Sequence, residues 1–401
     1  MNQCASGNMR GSRLLFVTGG LHLGGAEVVL CQLAGALQRM GAECLVLCIT
    51  PPGALARVLQ ASKVEVRSLN IESAFDTLGG FLRAWRMVRS FKPALIQGWM
   101  YDGNLLSTFL QATARRQARL VWGVRSLMFF SKLKGRFVNR MCAVLSHVSP
   151  DVVVCVSRRA VEVHSRAGYS RRKLEHIPNG VDTERFSPSS EDRSAVRCEL
   201  GLRKENVAIG HLGRFHPAKD YNCFIKAAVC LKQHIPAVKF VLCGSELTPE
   251  NEQLGRELKE SRLEGDFMLL GPRSDPQRIL NAFDVFLLSS RSEAFPNSLL
   301  EAMATGIPCL ATDVGDCGAI LGACGKAVPP GQPEALAAAC MDLLRESAES
   351  RRRLGMAARA RVIEHFSIEQ CVRAHEALYR RLLRPKPLAE QSDNQHRQLE
   401  P

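Results

Sequence analysis

The sequence predicts an α/β protein built as two tandem, doubly wound parallel sheets with a cleft between them. Three observations carry this. Short apolar runs alternate with longer helical patterns along most of the 401 residues, and continuous apolar strands set between helices mark a parallel sheet covered on both faces. The series starts near residue 14 and restarts after residue 180. A domain commonly holds about 100–200 residues, so two fit this length.

The elements follow in order. Residues 14–18 read as a strand ending at Gly19-Gly20, and residues 26–40 as a helix stopped by Gly41. Residues 44–49 form the next strand before the break Pro51-Pro52-Gly53. Residues 64–69, 94–97, 120–122 and 152–156 continue the first series. In the second, residues 207–212, 239–243, 267–270, 285–289 and 308–311 are the strands. The polar stretch 187–193 reads as the linker. A helix is expected from about residue 366 to 383, while residues 1–12 and the polar tail 385–401 are expected to be disordered. In open parallel sheets, ligands bind beyond the carboxyl ends of the strands, so the chemistry belongs on the loops there.

Composition narrows the setting. Residues 1–190 hold 25 Lys and Arg against 11 Asp and Glu, whereas residues 191–401 hold 28 of each. The whole excess of +14 therefore lies in the first half. A one-sided basic balance suits an anionic partner: nucleic acid, an anionic membrane surface or a phosphorylated substrate. A solvated surface is the plainer account. No nucleic-acid recognition motif accompanies the charge. Lys132, Lys134, Arg136 and Arg140 interleave with Leu133, Phe137 and Val138. Arg83, Arg86, Arg89 and Lys92 interleave likewise with Phe81, Leu82, Trp85, Met87 and Phe91. Such segments suit a membrane surface, although the same pattern arises when apolar residues face the core. The 15 cysteines include no C-x-x-C pair, and many sit in apolar runs, as reduced core thiols do. No signal-peptide core and no apolar run of about 20 residues is present. The expected location is cytoplasmic, with peripheral contact to the cytosolic face of a membrane.

Three loops could carry chemistry. Gly19 to Glu27 reads G-G-L-H-L-G-G-A-E between the first strand and its helix. Glycines there let the backbone approach a phosphate, and a helix start offers amides with partial positive charge. Gly213-Arg214-Phe215, with Lys219-Asp220 close behind, follows the first strand of the second series. Arg214 can grip a diphosphate with two parallel bonds, and Lys219 adds a point charge. Ser289 to Ala304 reads S-S-R-S-E-A-F-P-N-S-L-L-E-A-M-A. Pro296 and Asn297 favour a helix start, which puts Glu293 on the loop before it and Glu301 about one turn inside. Two carboxylates flanking free amides suit a nucleotide sugar, with hydroxyls at its ends and a diphosphate between. Each loop also has a structural account, as a tight turn, a solvated ion pair or a helix-start carboxylate.

At this point the chain resembles a known family. Glu293-x7-Glu301 within S-R-S-E-A-F-P-N-S-L-L-E-A-M-A-T-G-I-P-C-L-A-T-D-V-G-D is similar to the signature of glycosyltransferase family 4, the retaining GT-B enzymes of bacterial polysaccharide type. Gly24-Gly25-Ala26-Glu27, His176-Ile177-Pro178-Asn179-Gly180-Val181-Asp182, Gly213-Arg214-Phe215 and Leu270-Gly271-Pro272-Arg273 occur in family order. The resemblance covers roughly residues 13–383 and implies a GT-B fold of two Rossmann-like domains. It implies an acceptor-side domain at 13–186, a donor-binding domain at 187–365, and a helix at 366–384 packing back on the first.

It also implies roles. Arg214 and Lys219 would bind the donor diphosphate, Glu301 the ribose hydroxyls, and Glu293 with the backbone of residues 294–297 the donor sugar. The donor set then comprises Gly24, Gly25, Arg214, Lys219, Arg273, Glu293, Phe295, Pro296, Asn297, Ser298, Leu299 and Glu301, with the backbone around Arg273 at the base. Glu293, Arg214, Lys219 and Asp102 are the candidates for catalysis. Asp102 departs from the pattern: Gln97 to Asn104 reads Q-G-W-M-Y-D-G-N, where relatives usually carry His-Ala before that Asn. His22, Arg125 and His147 are further candidates, although a lone His or Arg is more often structural. Arg125 follows a strand and so stands better placed. No metal and no cofactor is expected, Asp313 and Asp316 included. The expected partners are a nucleotide-sugar donor, a UDP-sugar foremost, and a glycan or lipid-linked acceptor of cell-surface polysaccharide biosynthesis. The expected activity is a hexosyl-type transfer. A GT-B sugar-nucleotide epimerase and a non-catalytic nucleotide-sugar binding protein remain alternatives.

Overall fold

Two parallel sheets, each wrapped by helices, make up the computed structural model, which describes residues 9–22, 24–73, 76–113, 118–127 and 133–384. The first sheet contains β1 (Arg13–Thr18), β2 (Glu43–Cys48), β3 (Glu65–Ser68), β4 (Leu95–Trp99), β5 (Arg119–Val124), β6 (Val152–Cys155) and β7 (Leu174–His176). Its spatial order is β3-β2-β1-β4-β5-β6-β7. The second contains β8 (Val207–Leu212), β9 (Val238–Cys243), β10 (Phe267–Leu269), β11 (Val285–Leu288), β12 (Cys309–Thr312) and β13 (Gly325–Val328), in the order β10-β9-β8-β11-β12-β13. Nearly every residue of β1, β2 and β4 is buried, as strands covered on both faces require.

Both orders reverse at one place, between β1 and β4 and between β8 and β11. At such a switch point the crossovers leave in opposite directions and open a crevice at the strand carboxyl ends. The glycine loop follows β1. The Arg214 loop follows β8, and the Glu293 loop follows β11. The three motif loops thus share the two crevices.

The helix Gly25–Arg39 packs on one face of the first sheet, and the helix Ile368–Leu383 joins the same hydrophobic core through Cys371, Val372, Leu378 and Tyr379. The Tyr379 hydroxyl donates to Gln97 Oε1 inside it. Burial of each such apolar side chain contributes about 1.5–3 kcal/mol, enough to hold a returning helix. Where the chain crosses between sheets, Val181 pairs with the second crossing: its amide donates to Phe366 O (2.9 Å) and its carbonyl accepts from the Ile368 amide (2.9 Å).

The polar stretch 187–193 is not an open tether. The helix Ser190–Glu199 begins there, and Arg193 and Arg197 both bind Asp284 (2.5 and 3.2 Å), tying it to the second sheet. The expectation of disorder at 1–12 fails at its end. Met9 is buried, and the Gly11 amide donates to Gly41 O (3.2 Å), because Met9 fills the base of the first core. Residues 1–8 and 385–401 lie outside the described residues, as does Lys132.

Candidate active site

The site is built around the start of the helix Asn297–Ala304. Pro296 stands at its N-cap in extended backbone and supplies no capping side chain. The first amides of a helix have no intrahelical partners, so this start presents donors and a partial positive charge to the crevice. The side chains of Phe295 and Leu299 turn into the core, Phe295 against Phe366. Those two residues can meet a ligand only through their backbone. Pro296 is buried, while Asn297 and Ser298 are partly open.

Glu293 is positioned by two donors. Lys219 Nζ binds Glu293 Oε1 at 2.6 Å, and Ser290 Oγ donates to the same oxygen at 2.7 Å. Both partners are mostly buried, at 18% and 11% side-chain exposure, so this is a partly desolvated pair rather than a surface contact. Lys219 ends a tight turn fixed by Asp220, which sits at φ 52° and caps the helix Tyr221–His234. Arg291 holds Asp220 from outside (2.6 Å), and Ser289 Oγ donates to Lys219 O (2.9 Å). The loops after β8 and β11 are thereby stitched together.

Arg214 stands exposed beside this pair, and its side chain makes no hydrogen bond or ion pair among the described residues. Partial burial first, then the Arg214 and Lys219 charges, hold His216 below the usual imidazole range. Glu301 lies one turn into the helix, and no carboxylate-binding partner of it appears among the described residues. Burial pushes its carboxyl up to about 7, against the lesser pull of Arg185 and Lys219. Arg273 uses its side chain structurally, gripping Asp275 with two bonds (2.8 and 3.0 Å) and Glu199 with a third (2.7 Å). Three of its five N–H donors are thereby committed to protein carboxylates.

From the other sheet, Gly25 faces this helix start directly. Asn297 Nδ2 donates to Gly25 O at 3.1 Å, and a Cβ on Gly25 would lie 2.6 Å from that nitrogen. Gly24 is the N-cap of the helix Gly25–Arg39, with Glu27 in its first turn. Burial raises the Glu27 carboxyl above its usual range.

Asp102 lies in the first turn of the helix Met100–Thr113, at the carboxyl end of β4, exposed and with no hydrogen bond or ion pair to Glu293, Arg214 or Lys219. Gly103 beside it packs the helix start on β1, where a Cβ would come within 2.3 Å of Val17 O. His22 is exposed after β1. His147 bonds Gly168 O (3.0 Å) at the amino end of β6, opposite the crevice, which separates it from the other candidates.

Sequence reasoning missed a second bridge between the sheets. Asp316 accepts from the amides of Arg158 (2.9 Å) and Arg159 (3.1 Å), capping the helix Arg158–Arg166 from across the crevice. It also missed Asn179, which donates to Asn297 Oδ1 at 2.8 Å. Its signal was its place in the motif His176 to Asp182, to which no role had been given. Among the described residues no three His, Cys, Asp or Glu side chains gather as a metal site.

Comparison with known proteins agrees with this frame. The family described as Glycosyltransferase Family 4 matches residues 23–185, and that described as Glycosyl transferases group 1 matches residues 206–346. The chain is 34% identical over 169 residues to a UDP-Gal:alpha-D-GlcNAc-diphosphoundecaprenol alpha-1,3-galactosyltransferase of Escherichia coli, covering 40% of this chain and 42% of that protein. It is 27% identical over 236 residues to the N-acetyl-alpha-D-glucosaminyl L-malate synthase of Bacillus anthracis, covering 58% and 60%. The chain thus spans about half the length of these curated relatives. The Anabaena protein HepE, solved in complex with UDP-glucose, shares the fold: TM-score 0.80 at 22% identity, over 92% of this chain and 99% of that one. With one family model on each parallel sheet and the same two-sheet frame in a solved structure, the chain belongs to the family 4 glycosyltransferases and has the GT-B fold.

Proposed function

We propose that the chain is a retaining glycosyltransferase. It moves a sugar from a UDP-sugar to a glycan or lipid-linked acceptor, in cell-surface polysaccharide biosynthesis at the cytosolic side of a membrane. The observation that carries this reading is the Arg214, Lys219–Glu293 and Asn297 constellation at a switch point, faced by Gly25 across the crevice. A guanidinium unpaired among the described residues, an ammonium and helix-start amides suit a diphosphate. Glu301, whose carboxylate has no partner among the described residues, offers an acceptor for ribose hydroxyls. The printed name of the E. coli relative supplies the kind of donor and of lipid diphosphate acceptor, and the HepE complex supplies the uridine nucleotide.

In this reading Arg214 and Lys219 take up the charge of the departing diphosphate, as preorganised charge usually does most of the work. The bond from the anomeric carbon to the phosphate oxygen breaks. The acceptor oxygen bonds to the same face of that carbon, and its proton passes to the leaving phosphate. Glu293 serves the donor sugar, and its bond to Lys219 couples sugar and phosphate recognition. The charge on the leaving group is met by these side chains and amides, so turnover is metal-independent and needs no cofactor.

The test is to incubate the protein with labelled UDP-sugars and lipid-linked or glycan acceptors, then to analyse products by mass spectrometry and NMR. Transfer with the donor's anomeric configuration kept is expected. An isomerised nucleotide sugar would indicate an epimerase, and binding without turnover a non-catalytic protein.

A further inference from the structure

The guanidinium of Arg125 sits in an unusual place. It is 8% exposed, directly after β5, and no carboxylate lies within ion-pairing distance of it among the described residues. Its Nε has no hydrogen-bond partner there. Burial pulls its pKa down to about 10. A buried cation without an anion lowers stability, and a packed apolar residue would not. Such a residue is kept where its contacts do something else.

Its contacts form a closed ring. Arg125 lies over the Trp99 indole, 3.9 Å from the ring centroid, a favourable cation–π distance. Trp99 Nε1 donates to Ala26 O (2.9 Å), at the start of the helix Gly25–Arg39. In the other direction Arg125 donates to Asn179 Oδ1. Asn179 Nδ2 donates to Asn297 Oδ1 (2.8 Å), and Asn297 Nδ2 donates to Gly25 O (3.1 Å). The ring therefore returns to the residue beside which it began. Behind it, His375 Nδ1 donates to Cys371 O (2.9 Å), which leaves Nε2 as an acceptor for Arg125 (3.5 Å) and braces the hub against the last helix. The ring joins the ends of β4 and β5, the segment after β7, and the two helix starts that face each other across the crevice.

We propose that Arg125 is a positioning residue for donor turnover, locking the Gly25 and Asn297 helix starts in register through Trp99 and Asn179 when the two sheets close. It need not touch the donor. Loss of the lock leaves the Arg214, Lys219 and Glu301 contacts intact but lets the two helix starts drift, and small misplacements of a reacting group are costly. The proposal rests on the donor site described above.

The experiment uses the full chain and UDP as the binding probe. UDP affinity is measured by calorimetry, and turnover is followed as UDP release from the UDP-sugar that the wild type accepts. The variants are Arg125→Lys, Arg125→Met, Asn179→Ala and the double Arg125→Lys/Asn179→Ala, each checked by thermal melting. Turnover should fall about tenfold or more in each single variant while the UDP Kd moves less than about threefold. The double variant should be no worse than the poorer single one, because both break one unit. If Arg125→Met does not fold, the lysine and alanine variants carry the test. Wild-type turnover in the single variants, equal loss of binding and turnover, or multiplying losses in the double variant would overturn the proposal. Failure of the wild type to bind UDP would instead overturn the donor-site reading, so the two failures are distinct.

Discussion

In the proposed donor site, Arg214 and Glu301 divide recognition of a nucleoside diphosphate between charge and hydroxyl acceptance. Among the described residues Arg214 has no hydrogen-bond or ion-pair partner to give up, so its guanidinium is open to phosphate. Charge-assisted contacts are worth about 1.5–3 kcal/mol, so Arg214→Ala should weaken UDP binding about tenfold or more. Calorimetry on a folded variant checks this, and an unchanged affinity would remove the phosphate role. Glu301 has a carboxyl pushed up to about 7 from an ordinary 4.5. The folded chain therefore holds a proton there that the unfolded chain releases, and stability falls as pH rises from about 4.5 to about 7. Glu301→Gln removes that loss: the variant should melt closer to or above the wild type at pH 8, and comparatively lower at pH 5. It should also lose the ability to tell UDP from its 2′-deoxy analogue, and equal discrimination by both proteins would reject the ribose assignment. EDTA should leave transfer unchanged. Activity abolished by EDTA and restored by magnesium or manganese would show that the cations and amides do not suffice.

Gly25 shows what an element's start can reveal. Its backbone lies in the first turn of an ordinary helix, where alanine is the better helix former by about 0.5–1 kcal/mol. Gly25→Ala should therefore melt no lower than the wild type. Its Cβ would press on Asn297 Nδ2 at 2.6 Å, so turnover should drop. Full turnover in Gly25→Ala would mean that the two helix starts need not meet. Elements of this kind were readable in advance because glycines, Pro296 and Asn297 mark strand and helix ends by local chemistry. The long apolar strands were readable for the same reason. The edge strands β7 and β13 were not, since most of their side chains are only partly buried and no apolar run announces them. Nor were Asn179, Trp99 and Asp316 assigned their roles. Their partners lie more than 70 residues away, and pairings at that distance follow from how the sheets stack.

At the scale of the whole molecule, the basic excess of the first half coincides with an apolar surface. The helices Asp76–Phe91, Met100–Thr113 and Leu133–Ser146 form one layer on the first sheet, joined through Ala84, Met87, Leu106, Leu110, Cys142 and Ala143. Among the described residues, seven of the ten exposed large hydrophobic side chains lie on this layer or just after it: Leu78, Leu82, Phe109, Phe137, Met141, Val144 and Val148. Phe137, Met141, Val144 and Val148 recur at helical spacing and are 38–75% exposed, so they are not the core-facing stripe that an amphipathic helix ordinarily hides. Arg83, Arg86, Arg89, Arg136 and Arg140 are exposed among them. Apolar side chains in a cationic rim suit a lipid surface better than a nucleic acid, whose backbone offers nothing for Phe137 or Val144 to bury against. Each basic residue near an anionic membrane is worth about 1 kcal/mol, so several give reversible, salt-sensitive attachment. The full chain should co-sediment with vesicles containing phosphatidylglycerol at low salt, less at high salt, and weakly with phosphatidylcholine alone. Phe137→Ser with Val144→Ser should reduce sedimentation at low salt without altering UDP affinity, because both residues lie on the outer surface of the first domain. Equal failure of the wild type to sediment with either lipid at low salt would remove the membrane from the reading and favour a soluble acceptor.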